Sequence, residues 1–163
     1  MKSLSAMTCA AFAVLLTGCA AQTLVQRPPF PVAEYEKLVL DGTGTVSGQV
    51  FMKTVGGDVK YGAGSEVILF PVTSYSNFWY LHDYIEAKPL TPSDVRQSEY
   101  IKTTQADGNG NFKFTNVGPG NYYVSSSVTW QVPTQYGLSA QGGIVAKSTS
   151  VKADAESRVM LTK

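Results

Sequence analysis

The chain has 163 residues, with 13 Lys or Arg set against 12 Asp or Glu, so its formal net charge is +1. That balance offers no basic field to draw nucleic acid or an anionic lipid surface. Two cysteines, Cys9 and Cys19, both near the amino terminus, and a single histidine, His82, are too few for a zinc cluster.

The amino terminus reads as a leader. Lys2 supplies a positive start, and residues 10–16 run Ala-Ala-Phe-Ala-Val-Leu-Leu. That run is far short of the ~20 apolar residues a spanning helix needs. A charged start, a short apolar core and small residues at its end make a secretory signal over residues 1–18. Leu16-Thr17-Gly18-Cys19 resembles the bacterial lipobox. The resemblance implies cleavage before Cys19, a diacylglycerol thioether on its sulfur, and a fatty acyl group such as palmitate on the new amine. The thiol is the nucleophile such chemistry requires. Ala20 and Ala21 follow it, with no aspartate of the kind that retains enteric lipoproteins on the inner membrane. The expected location is therefore the outer membrane, facing the periplasm. Cys9 leaves with the leader, so the mature chain keeps no thiol for a disulfide or a catalytic cysteine.

Residues 19–43 read as the lipidated cysteine and a proline-rich tether. Arg27-Pro28-Pro29-Phe30-Pro31 is expected to be extended and outside any sheet interior. At ~3.1 Å per residue, ten such residues span on the order of 30 Å.

Residues 44–163 carry strand signals. Val46, Gly48, Val50 and Met52 alternate onto one face, with Thr45, Ser47, Gln49 and Phe51 on the other. Gly56-Gly57-Asp58 is a turn. Val67-Ile68-Leu69-Phe70 is a short continuous apolar run, as in a strand covered on both faces, limited by Pro71. Residues 74–98 break the rhythm. Thr91 is expected to cap a short helix with Pro92 in its first turn, running to about Ser98, and residues 76–85 suit another helical turn or two. Residues 100–104 form the next strand. Asp107-Gly108-Asn109-Gly110-Asn111 is a strong turn signal, with Phe112 and Phe114 behind it. Gly118-Pro119-Gly120 turns into Tyr122, Val124, Ser126 and Val128, a run that Pro133 is expected to break. Gly142-Gly143 opens the strand over 144–151, and Val159 with Leu161 close the chain. Six or seven short strands separated by turns argue for an antiparallel sandwich.

Three blocks carry a resemblance: Gly44-Thr45-Val46-Ser47-Gly48-Gln49-Val50, Gly64-Ser65-Glu66-Val67-Ile68-Leu69, and residues 107–124, which read Asp-Gly-Asn-Gly-Asn-Phe-Lys-Phe-Thr-Asn-Val-Gly-Pro-Gly-Asn-Tyr-Tyr-Val. Together they resemble a carboxypeptidase regulatory-like domain, with Val117 and Gly118 replacing the usual Leu and Pro. The resemblance covers residues 44–128 and implies a seven-stranded Greek-key β-sandwich, similar to transthyretin (prealbumin) and to starch-binding modules. On this reading the chain is all-β, with a short helical insertion near residues 75–98 that the family pattern does not explain. The motif residues serve turns and core, not catalysis.

No catalytic set emerges. His82 is alone, no Gly-x-Ser-x-Gly elbow is present, and the carboxylates are scattered singly. Asp107, Asn109 and Asn111 imitate the start of a calcium loop, but Phe112 stands where glycine is needed, and a plain turn is the simpler reading. Gly42-Thr43-Gly44 lacks the rest of a dinucleotide fingerprint. No cofactor and no metal site is expected, and no enzyme.

The conspicuous group is Tyr75, Phe78, Trp79, Tyr80, His82 and Tyr84. Aromatic faces stack on sugar rings or anchor protein interfaces. They serve equally to pack an insertion onto one end of the sandwich. The first functional expectation is thus a membrane-anchored, non-enzymatic lipoprotein, an envelope structural or protein-interaction module. The alternative is carbohydrate binding, to glycan or peptidoglycan, through the aromatic 75–84 loop.

Overall fold

The computed structural model describes residues 23–163; the expected leader, Cys9 and the lipidation site Cys19 lie outside the described residues. The described residues form eight strands in two four-stranded sheets. The strands are β1 (Gly44–Lys53), β2 (Val59–Tyr61), β3 (Glu66–Pro71), β4 (Lys102–Gln105), β5 (Asn111–Val117), β6 (Gly120–Thr134), β7 (Gly137–Val151) and β8 (Glu156–Leu161). In the first sheet β1 is central and pairs with β2, β5 and β8; the second runs β4-β3-β6-β7. The chain is therefore all-β with few helices, and its count of strands exceeds the expected seven. The extra strand is β2, which the Gly56-Gly57-Asp58 turn folds back antiparallel on β1.

One pair is not antiparallel. β8 lies parallel to β1, from Thr45↔Glu156 to Val50↔Leu161. The turn after β7 carries the chain from the second sheet to the first, and a connection that changes sheets is free of the hairpin's antiparallel constraint.

The core sits between the sheets. Val46 and Val50 of β1, Val67 and Leu69 of β3, Phe112, Phe114 and Val117 of β5, Tyr122, Val124 and Val128 of β6, and Val159 and Leu161 of β8 are all buried there. The alternation read from the sequence selects these side chains. Gly48 shares their face because nothing larger fits. A methyl group on it would lie 1.9 Å from the Val159 carbonyl oxygen and 2.7 Å from the Phe112 ring.

Three sequence expectations shift. Tyr100 belongs to a helical turn, and the strand after it begins at Lys102. Pro133 does not break β6, which continues to Thr134 opposite Gly137. β3 borders β6 only from Tyr122 to Ser126. Beyond that the ribbon has one neighbour strand, and a proline whose ring faces outward removes no ladder bond. β7 likewise begins at Gly137, well before Gly142-Gly143. Gly142 adopts φ +104° inside the strand, where a methyl would strike the Val128 carbonyl at 2.0 Å.

The insertion forms a third layer over the outer face of the second sheet. Its first helix, Ser74–Trp79, widens into a π-helical turn, Tyr80–Ile85. Thr73 caps it: the Thr73 hydroxyl accepts the Ser76 amide at 3.1 Å, and the Ser76 hydroxyl accepts the Thr73 amide at 2.8 Å. The second helical piece is a 3-10 turn, Val95–Tyr100, capped by Asp94 rather than Thr91. Thr91 is otherwise engaged: its hydroxyl accepts the Arg27 amide at 3.0 Å, and Asp94, itself extended, takes the cap.

The proline-rich segment stays outside any sheet interior, but it runs along the insertion instead of standing off it, and it turns at Pro31, where the Val32 amide donates to the Phe30 carbonyl at 3.0 Å. Val25 bridges Leu90, and Arg27 Nε donates to the Thr91 carbonyl at 2.7 Å. Phe30 stacks on Tyr35 at 4.4 Å, and Tyr35, in the short helix Val32–Tyr35, is 1% exposed. Among the described residues no helix is long and apolar enough to cross a membrane.

Candidate functional site

The outer face of the second sheet is set by register. Ile68 lies opposite Ser125 and Phe70 opposite Tyr123 across β3 and β6; Ser125 pairs with Ala146 and Ser127 with Ile144 across β6 and β7. The inner partners Val67, Leu69 and Val124 fill the core, so these residues point to the other side. The insertion covers only part of that side. Between it and the sheet lies a groove of about 440 Å³, floored by Ile68, Phe70, Ser125 and Ser127. Trp79 and Gln97 line it from the insertion, Ile101 from just before β4, and Arg27 reaches it from the amino-terminal segment.

The aromatic residues singled out in the sequence separate into three groups. Trp79, Tyr80 and Tyr84 pack with the sheet. Trp79 meets Phe70 edge-on at 5.3 Å, Tyr80 stacks on Tyr123 at 4.5 Å, and Tyr84 lies parallel to Trp79 at 6.2 Å. All three are half-buried. The Tyr123 hydroxyl donates to the Asn77 side chain at 2.8 Å, and burial raises its pKa above the usual phenol value. Tyr75 turns the other way and is buried against Phe30, with the Arg27 guanidinium over its ring; its oxygen accepts the Asp94 amide at 2.9 Å. Phe78 and His82 pair with each other at 4.3 Å, and His82 Nδ1 lies 2.9 Å from Glu86. Of the six, Trp79 alone lines the groove. Tyr75, Tyr80 and Tyr84 help to hold the insertion in place, while Phe78 and His82 pack on each other along its helix.

The remaining groove residues, Arg27, Glu66, Ile68, Gln97, Ile101, Ser125, Ser127 and Ile144, were not legible as a group. They come from five separate segments. Ser125 is the most telling: it is buried as a residue, but no buried side-chain oxygen among the described residues lacks a partner, so its hydroxyl, which bonds no protein group there, is open to the solvent of the groove. Arg27 has no acidic partner among the described residues, and Glu66 no basic one.

Among the described residues no group of three His, Cys, Asp or Glu is placed to hold a metal. The Asp107 carboxylate is occupied by its own turn, accepting the Asn109 and Asn111 amides at 2.8 Å and the Asn111 side chain. Those bonds lower its pKa.

The pKa of the Asp94 carboxyl is lowered as well. The Arg96 guanidinium, at 2.7 Å, holds it down to about 2. An acid whose pKa falls on folding favours the folded state above its unfolded value and loses that contribution as pH drops through the folded one. Asp94→Asn is therefore expected to lower the melting temperature more at pH 6 than at pH 2. An equal deficit at both pH values would contradict the ion pair.

No protein-family model matches this chain, and no curated protein matches it in sequence. Among solved structures it is similar to PA1324 of Pseudomonas aeruginosa, provisionally described as a carbohydrate-binding protein. That likeness has a TM-score of 0.77 and 28% identity, over 84% of this chain and 99% of that one. GBS52, the minor pilin of Streptococcus agalactiae, aligns more loosely, with a TM-score of 0.41 and 12% identity over 76% of this chain and 45% of the pilin.

Proposed function

We propose that the protein is a non-enzymatic, glycan-binding lipoprotein, tied to the outer membrane by acyl groups on Cys19 and facing the periplasm. In this reading the sandwich is of the carboxypeptidase regulatory-like type and serves as a scaffold for the groove. The single observation that carries it is the groove itself. An aromatic wall, Trp79, stands over a floor that offers two hydroxyls, Ser125 and the solvent-exposed Ser127, neither bonded to a protein group among the described residues. That pairing of one flat apolar face with neutral donors suits a sugar ring, which has an apolar face and a polar rim. The likeness to a protein provisionally described as carbohydrate-binding supports the same choice over the interaction module that the sequence favoured. The lipid anchor rests on Leu16-Thr17-Gly18-Cys19. The test is titration with a panel of bacterial and plant glycans, followed by tryptophan emission. A saturable change lost on Trp79→Ala supports the reading; no change with any glycan ends it.

The interaction-module reading keeps one observation of its own. The β6–β7 ribbon projects past β3, and no charged residue occurs between Lys113 and Lys147. Tyr136 at its tip is 91% exposed and Leu138 72%. A long uncharged ribbon with apolar side chains at its end suits burial against another protein. A photo-crosslinker at position 136, used in intact envelopes, is expected to give one discrete adduct under this reading. No adduct removes it.

A further inference from the structure

We infer that the groove selects sugars carrying a 2-acetamido group, an inference that rests on the glycan-binding reading and narrows it. The groove holds one cation, Arg27, and one anion, Glu66, and Arg27 Nε is already bound to the Thr91 carbonyl. This balance matches a neutral ligand rather than a polymer charged at every unit.

The apolar lining exceeds what a plain hexose uses. Trp79 is enough to stack on one face of a pyranose ring. Ile68, Ile101 and Ile144 add three branched aliphatic side chains around it, and Ile144 is 44% exposed to solvent. A hexose bears a hydroxyl at nearly every ring carbon. Pressing those hydroxyls on isoleucine removes their water and returns no hydrogen bond. An acetamido group brings a methyl to the same place and carries an N–H and a C=O beside it. The methyl is what the isoleucines accommodate. The amide is what the Ser125 hydroxyl, open to the groove and bonded to no protein group among the described residues, is free to meet, with the Gln97 side chain on the facing wall.

Calorimetry with three β-1,4 tetrasaccharides tests this, since cellotetraose, chitotetraose and fully deacetylated chitotetraose differ only at carbon 2. Chitotetraose is expected to bind at least about tenfold more tightly than either of the others, the scale at which a pocket reads a single small apolar group. Ser125→Ala and Ile144→Ser are each expected to shrink that ratio toward one, because each weakens chitotetraose binding more than cellotetraose binding. A fourth arm compares chitobiose with the N-acetylglucosaminyl–N-acetylmuramic acid disaccharide. Tighter binding of the first points to a chitin-type source and of the second to the cell wall, and either result keeps the acetamido group as the recognised chemistry. If cellotetraose binds as well as chitotetraose, the acetamido inference is overturned and the glycan reading stands. If no sugar binds, both fall together.

Discussion

Replacing Gly48 with alanine is expected to cost about 3 kcal/mol of folding stability, near the upper end for overpacking a core. The position has no slack. Gly48 is paired on one side with Phe112 of β5 and on the other with Val159 of β8. The added methyl would meet a backbone oxygen at 1.9 Å, and a backbone oxygen in the middle of a ladder has no rotamer to change. Relief therefore requires moving β8 off β1, which opens the layer that Val159 and Leu161 close. Urea unfolding measures this directly, and Gly108→Ala is the matched control. Gly108 lies in the exposed turn with no atom within 4 Å of a new methyl, so its substitution is expected to be neutral or mildly stabilising. Equal midpoints for the two variants would mean that the sheet tolerates what the geometry forbids.

Replacing Trp79 with alanine is expected to abolish measurable glycan binding. Removing a central aromatic anchor typically costs about 2 kcal/mol or more, roughly 30-fold in Kd. The same change also removes packing. Trp79 touches Phe70 and Tyr84 but is only half-buried, so the stability loss is expected to be about 2 kcal/mol, below the range for a fully enclosed tryptophan. Tyr84→Ala separates the two effects. Tyr84 supports Trp79 without lining the groove, so it is expected to lower stability and change affinity only a few-fold. If Tyr84→Ala weakens binding as much as Trp79→Ala, the tryptophan acts through the fold and not through contact with the sugar.

The sandwich was readable because its signals are local. Alternation in residues 44–52 and 112–114 put Val46, Val50, Phe112 and Phe114 on the faces that the core uses. The apolar run 67–70 was readable as a strand covered on both sides, although what covers its outer side, the helical insertion, is not written in the run. Pro133 misled because a proline forbids one hydrogen bond and not a strand, and whether that bond is needed depends on which strands lie alongside. Thr91 misled for a similar reason, since a threonine before a proline has the chemistry of a cap until Arg27, 64 residues away, takes its hydroxyl. The aromatic cluster was visible as a composition, but composition does not tell a ring that lines a groove from one that props it. Ser125 and Ile144 had no signal at all. They look like any serine and isoleucine in a strand, and only the register of three strands brings them under Trp79.

The wall contributed by Arg27 has a practical consequence for where this domain begins. A boundary drawn at Gly44, at the first strand, would yield a fragment with a complete sandwich that still lacks Phe30, Tyr35 and Arg27. Such a fragment would leave Tyr75 and Tyr100 without their edge-on aromatic partners and the cleft open along one flank. Under the proposed glycan-binding reading, failure of that shortened protein to retain a saccharide would report on the missing flank, and a test of that reading is better made on a chain that begins ahead of Val25.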